Sequence, residues 1–243
     1  MSADFAIDKP AGRACPNLHA DFRCGIHTTL RQRGFPGCTV YDCFGAGQHV
    51  SQVTFGGRDW RHDPGTARRM FDVFPIMRQL HELLWYLTEA LTLPQATTLH
   101  AELRRAIDDT ERLTRHNPDV LTELDVPAHR HTVNALLSRA SDLARAGYPN
   151  REDHRGADLI GANLTNTDLR GANLRGAYLI GADMSGTDLR MADVTGADFR
   201  DAKLTAADLS STIFLTQSQL AAAHGDRTTK LRPDRTRPTH WET

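Results

Sequence analysis

The chain has 243 residues, with 29 Lys or Arg set against 30 Asp or Glu and a formal net charge of −1. That balance gives no global attraction to nucleic acid or to an acidic partner, and no run of about 18 apolar residues offers a membrane span. Residues Met1 to Pro10 lack a basic start followed by an apolar core, so no signal peptide is expected and the default is a cytoplasmic protein.

Residues 1–13 read as a flexible N-terminus. The four cysteines of the chain, Cys15, Cys24, Cys38 and Cys43, fall within 29 residues, inside a segment bounded at 14–66. In a chain without an export signal, clustered cysteines point to metal or redox chemistry rather than to disulfides. Four thiolates are the number and type taken by tetrahedral zinc or by an iron–sulfur cluster. Their spacing, C-x8-C-x13-C-x4-C, lacks the paired C-x2-C knuckle, and four reduced cysteines serving as small hydrophobes are the alternative. His27 is a possible additional ligand, a partner to a sulfur, or a surface residue. Val50 to Phe55 reads as a short strand, and Asp59-Trp60-Arg61 as an anchor against the helices. Gly45 to Gln48 and Gly56-Gly57 are loop signals without the Lys-Ser/Thr ending of a phosphate loop.

Residues 67–147 read as a helical bundle. Met70, Phe71, Phe74, Met77, Leu80, Leu84, Leu87 and Leu91 recur at steps of three and four, which makes an amphipathic helix ending before Pro94, with Pro75 in a first turn or at a kink. A second helix fits Thr97 to Arg115, with Leu99, Leu103, Ala106, Ile107 and Leu113 inward. A third fits Pro127 to Ala146, with Val133, Leu136, Leu137, Ala140 and Leu143 inward. Three antiparallel helices of this length bury one core. His81, Glu82, His100, Glu102, His129 and His131 supply the residue types of a carboxylate–histidine metal site. No E-x-x-H pair recurs, however, and solvated helix faces are the reading taken. No catalytic triad stands out by order or spacing.

Residues 148–224 hold the most regular stretch. After a linker at Ala146 to Arg155, a large apolar residue recurs every fifth position from Leu159 to Phe214, with Ala or Thr two residues before each, in twelve units without a slip. Five fits neither a helix face nor a flat strand; it requires a chain that turns a corner every five residues. With four units to a coil, which the family resemblance given below implies, residues 20 apart stack on one face: Asp168, Asp188 and Asp208 in one column, Ile160 and Ile180 in another continued by Arg200, and Tyr178 between Asp158 and Asp198. Ile160, Tyr178 and Ile180 form a possible docking face. Thr216 to Ala223 reads as a short helix capping the end, and 225–243 as a flexible tail.

This pattern resembles the pentapeptide-repeat family, whose consensus is A-(D/N)-L-x-x. The resemblance implies a right-handed, four-sided β-helix with four units per coil, hence three coils. The expected fold class is therefore mixed α and β: a C-terminal quadrilateral β-helix preceded by a helical bundle and a small cysteine-rich metal-binding module. The cysteine segment is similar to a family described as zinc- or iron-chelating, through Cys15-Pro-Asn-Leu18, Cys24-Gly-Ile-His27 and Cys38-Thr-Val-Tyr41. The whole arrangement resembles an actinobacterial type of pentapeptide-repeat protein with a cysteine-containing N-terminus.

Three functions are compatible with these features. Some pentapeptide-repeat proteins bind DNA gyrase as acidic DNA mimics. Here three coils at about 4.8 Å give a rod of about 14 Å, against about 34 Å for one turn of DNA. From Arg155 to Leu215 eight aspartates face six Lys or Arg, a net of only −2. DNA gyrase is thus disfavoured as a partner, and nucleic acid is not expected. A metal-dependent redox or sensor protein, with zinc or an iron–sulfur cluster at the four cysteines, is the second. The favoured reading is a non-enzymatic interaction scaffold with a protein partner.

Overall fold

The computed structural model describes residues 4–10, 13–148 and 152–241. Parts of the expected N-terminal segment (1–3 and 11–12), of the linker (149–151) and of the tail (242–243) lie outside the described residues. The chain divides into two units, Met1–Cys38 with Asp42–Ala140, and Thr39–Tyr41 with Ser141–Thr243.

The first unit is helical. Short helices α1 (Pro36–Val40) and α2 (Ala46–Gln48) precede the long α3 (Pro64–Leu91), followed by α4 (His100–Thr114), α5 (Pro118–Thr122) and α6 (Val126–Arg145). Asp63 starts α3: its carboxylate accepts from Gly65 N at 2.9 Å and Thr66 Oγ1 at 2.6 Å, ahead of Pro64 in the first turn. Pro75 lies inside α3 on its exposed side, so the donor it lacks is missing where water replaces it. The buried stripe runs through Met70, Val73, Met77, Leu80, Leu83 and Leu87. This is rotated from the expected stripe. Phe71 is exposed and stacks on Trp60 at 5.7 Å, and Leu84 and Leu91 sit at the edge of the buried face. α3 packs on α4 and α5. Ion pairs Arg130–Glu82 at 2.9 Å and Arg139–Glu102 at 2.6 Å tie α6 to α3 and α4.

Two expectations are corrected here. Val50 to Phe55 is not a strand; α2 continues as a π-helix over His49–Thr54. Val50 and Phe55 stand five apart, the π-helical step. The amide of Phe55 donates to Val50 O at 3.0 Å, and both side chains are buried with Met70, Val73 and Met77. That shared core also removes the expected boundary at residue 66. Ala46, Val50 and Phe55 pack on α3, which itself starts at Pro64, so the cysteine segment, apart from Thr39–Tyr41, belongs to one unit with these helices.

The second unit is a β-helix. Parallel bridges join residues 20 apart: Asp153 to Asn173, Asp158 to Tyr178, Asn163 to Asp183, Asp168 to Asp188, and so on to Asp193–Ile213. Leu169, Leu174, Leu179, Met184, Leu189, Val194, Phe199, Leu204 and Leu209 fill the interior, at most 2% exposed, with Ala172, Ala177, Ala182 and Ala192 beside them in the corners. A fully buried side chain of this size contributes about 1.5–3 kcal/mol. At Thr187 and Thr212, where Thr replaces Ala at a corner, the hydroxyl is satisfied. Thr187 Oγ1 donates to Leu164 O and Thr212 Oγ1 to Leu189 O, each at 2.8 Å. The recurrent glycines have a backbone cause. The first residue of every unit from Gly156 to Ala206 is left-handed, at φ +64° to +69° for Gly161, Gly171 and Gly186. Asn166, Met191, Asp201 and Ala206 accept the same conformation at φ +56° to +57°. Arg145, at the end of α6, donates to Gly171 O at 3.1 Å, where the Tyr148 ring leaves no room for a Cβ.

The stretch 225–243, expected as a flexible tail, is built into this unit over its described residues. α7 (Gln217–Ala222) carries a capping box at Thr216 and Gln219, and Gln219 Nε2 donates to Val194 O and Ala197 O at 2.8 and 2.9 Å. The ladder then resumes. His224 bridges to Lys203, and β2 (Lys230–Leu231) pairs in parallel with β1 (Asp208–Leu209). Thr229 occupies the corner and donates to Leu204 O at 2.8 Å. Gly225 stands where a large residue would point inward. Trp241 fills that space instead, 1% exposed, with its Nε1 donating to Ala223 O at 2.9 Å. The physical reason for the miss is register: an insertion carrying α7 separates Phe214 from Leu231, so the period of five breaks while the backbone pairing does not.

Trp241→Ala should lower unfolding stability by about 3–5 kcal/mol in urea titrations. An unchanged midpoint would mean that residues 225–241 do not close the core.

Candidate functional site

The β-helix wall is made by the residue after each small corner residue. Asp or Asn at this place turns its side chain onto the backbone two residues on. Asp158 Oδ1 accepts from Ile160 N at 3.2 Å, and the same bond recurs at residues 163, 168, 173, 183, 188, 193, 198 and 208. Many of these carboxylates also hold a cation. Arg170 pairs with Asp168 at 2.6 Å, Arg190 with Asp188 at 2.5 Å, Arg200 with Asp198 at 2.6 Å and Lys230 with Asp208 at 3.2 Å. The Arg170 guanidinium holds the Asp168 carboxyl down to about 2.

The Ile160–Tyr178–Ile180 face departs from this rule. Tyr178 has no carboxylate to turn inward and is 51% exposed; Ile160 is 58% exposed and Ile180 half-buried. Gly161 N donates to Ile180 O at 2.8 Å, which stacks Ile160 and Ile180 on adjacent turns, and Asp158 bridges to Tyr178 in the neighbouring column. Asp158 has no cationic partner among the described residues. The patch is apolar and carries one carboxylate, which accepts from Ile160 N and has no ion pair among the described residues.

Another part of the wall is buried. Asp193 is fully buried and Arg175 is 7% exposed; they pair at 3.1 Å, and Arg175 also donates to Thr195 Oγ1 at 3.0 Å. Arg175 Nε has no hydrogen-bond partner among the described residues. Sequence reasoning counted both as surface charges, and nothing in their local pattern distinguishes them from neighbouring units.

All four cysteines are free thiols. Cys15 and Cys24 flank a tight turn closed by an antiparallel bridge between Leu18 and Cys24, with Leu18 N bonded to Cys15 O at 3.0 Å and His27 N to Cys24 O at 3.3 Å. Cys38 is exposed at its residue level, yet burial of its sulfur pushes the thiol pKa up, and the nearby thiolates of Cys15 and Cys24 push it further. Cys43 lies beside Gly47, and His27 is exposed in a 3-10 turn. Among the described residues no three His, Cys, Asp or Glu side chains are grouped to hold a metal ion. The imagined carboxylate–histidine set is also dispersed: Glu82 and Glu102 pair with arginines, His129 bonds Thr110 at 2.9 Å and His81 bonds His49 at 2.9 Å. No described helix is long and apolar enough to cross a membrane.

The pentapeptide-repeat family model, in 8 copies, matches residues 155–190 and 187–214. The chain is 58% identical over 245 residues to the uncharacterized protein YybG of Bacillus subtilis (strain 168), a match covering 99% of this chain and 88% of that protein. Among solved structures it is similar to alr5209, a pentapeptide repeat protein from Nostoc Pcc 7120. Identity there is 30%, over 40% of this chain and 85% of that one, with a TM-score of 0.25. The chain belongs to the pentapeptide-repeat family, and its β-helix is of the right-handed kind that these repeats build. The match to YybG runs through both units, so the helical part is shared with a relative and is not an addition peculiar to this chain.

Arg175→Ala leaves Asp193 as a buried carboxylate without its cation and should lower stability by about 3–5 kcal/mol, measured by denaturant unfolding. A change under about 1 kcal/mol, the range of an exposed pair, would place the two charges in water.

Proposed function

We propose that the chain is a non-enzymatic interaction scaffold whose docking face is Ile160, Tyr178 and Ile180. The observation that carries this reading is the contrast along the wall. Most wall positions are closed by a side-chain turn, and several are also neutralised by an ion pair, whereas this face leaves two large apolar side chains about half exposed beside Asp158, whose carboxylate has no ion pair among the described residues. Such a surface suits a partner protein presenting apolar side chains and one cation opposite Asp158. Pairing of the wall carboxylates with Arg and Lys breaks up any continuous anionic strip, which weighs against the acidic DNA-mimic reading.

A photo-crosslinking residue placed at Tyr178 in cells tests the face directly. One partner should be joined to it, identified by the crosslinked peptide, and lost when Ile160 and Ile180 are both changed to Asp. The same probe at Arg190 should give no such product. Equal crosslinking at the two positions would remove this face from consideration.

Metal uptake is a separate proposal, supported by four free thiols within one short segment, although no three of the described side chains are grouped around a common centre. Protein purified without oxygen should contain close to one equivalent of zinc, or iron with sulfide and a visible absorption band. Less than about one-tenth of an equivalent of either metal would end the sensor reading.

A further inference from the structure

Two imidazoles, His49 in the π-helical turn and His81 on α3, meet edge to face with ring centroids 5.0 Å apart. His49 Nδ1 lies 2.9 Å from His81 Nε2, and His81 Nδ1 lies 2.9 Å from the carbonyl oxygen of Phe44. Donor and acceptor counting fixes the protons. A carbonyl only accepts, so His81 Nδ1 bears a hydrogen, and in the neutral ring its Nε2 accepts. His49 Nδ1 must then donate. What is left over is His49 Nε2, a bare lone pair that is buried and has no hydrogen-bond partner among the described residues.

This arrangement has no place for a further proton. A proton added to His49 goes to Nε2 and makes a buried cationic N–H with no acceptor. A proton added to His81 makes its Nε2 a donor. His49 must then accept through Nδ1 and carry its hydrogen on Nε2, which is the same orphan donor. Both microstates bury an unsatisfied N–H beside a charge, which is costly.

The charged groups around the pair do not relieve it. α3 contributes Arg78, the end of α4 contributes Arg115, and the preceding turn contributes Asp42, whose carboxylate already accepts from Phe44 N at 2.7 Å. α5 packs here through Leu121. No carboxylate among the described residues bonds either ring. Burial, His81 and Arg115 all push His49 below the usual imidazole range.

The pair also spans a joint. Besides the core that Ala46, Val50 and Phe55 share with α3, residues 42–55 are tied to that helix by Arg78 Nε donating to Asp42 O at 2.9 Å, by the His81–Phe44 bond and by the His49–His81 bond, and two of these three hydrogen bonds pass through His81. Phe44 and Gly45 are both left-handed, at φ +52° and +83°, a conformation a phenylalanine keeps only when held.

We propose that the His49–His81 pair is a proton-operated latch: neutral, it clasps residues 42–55 to α3; in mild acid it lets them go. The sign comes from linkage. The closed form takes up fewer protons than the open form, whose imidazoles titrate near their usual value of about 6.5. Closure is therefore complete above that pH and weakens below it, by a factor of about 10 per pH unit for each proton taken up on opening.

Amide hydrogen exchange of the full-length protein, expressed as protection factors between pH 7.5 and 5.0, tests this. Protection at 46–55 should fall at least tenfold per unit below about pH 6.5, while amides of α4 hold theirs. In His49→Gln the amide can either donate to His81 or accept from it, so the pH dependence should flatten. Nitrogen-15 shifts of the wild-type imidazoles should show hydrogen on Nδ1 of both rings at pH 7.5, a readout that does not depend on the variant folding. Flat protection across the window, equal loss in α4, an undiminished slope in His49→Gln, or hydrogen on Nε2 of either ring would each overturn the latch.

Discussion

The second unit depends on backbone pairing between residues 20 apart. That pairing can persist only if the chain turns a corner every five residues, and the corner sets the composition of each unit. A left-handed first residue selects glycine at most repeats. A tight inward corner selects Ala, or Thr when its hydroxyl can reach the carbonyl of the previous turn. The interior selects a large apolar side chain. A one-residue slip would carry wall carboxylates into the core, so the apolar period and the hydrogen-bond register enforce each other. The same logic explains how the ladder survives the α7 insertion. Gln219 takes up the carbonyls of Val194 and Ala197, and Trp241 supplies from a distance the side chain that Gly225 lacks.

The wall uses its charges locally. Each Asp or Asn closes its own turn, and several then hold the arginine or lysine nearest to hand, so little net field is left. A wall of this kind is a stiff support. The rule lapses at Lys203, which pairs with Asp183, at Ile213, which is buried, and at Tyr178, where the side chain stays exposed beside Ile160; the docking proposal rests on that last lapse. The buried Asp193–Arg175 pair is the opposite case: a wall charge taken out of water and made dependent on a single partner.

Much of this could be read from the sequence because the repeat is periodic. Leu159 to Phe214 show through their spacing a chain that turns every five residues, and the family resemblance carried by that pattern supplies the four-unit coil that places Ile160 above Ile180 before any coordinates are seen. What could not be read is non-periodic. The unit at Thr229–Leu231 has the right residues but lies 17 residues from Phe214 at its centre, off the register of five. The π-helix at His49–Thr54 mimics strand alternation because Val50 and Phe55 face one way at a step of five. Burial of Arg175 and the meeting of His49 with His81, 32 residues apart, arise from tertiary packing with no local signature. Four clustered cysteines signalled metal chemistry by composition, but composition does not set the distances between thiols.

The account stands on a solenoid whose backbone pairing runs from the first turn to Asp193–Ile213 and resumes beyond α7 at His224 and Lys230. Native-state amide exchange over the whole chain measures this most directly. The account predicts that the interior ladder amides of Asp188, Asp193 and Asp208 exchange together with those of His224 and Lys230, at the free energy of unfolding the unit as a whole. Exchange of His224 and Lys230 at the rate of an unstructured chain, with the others still protected, would contradict it.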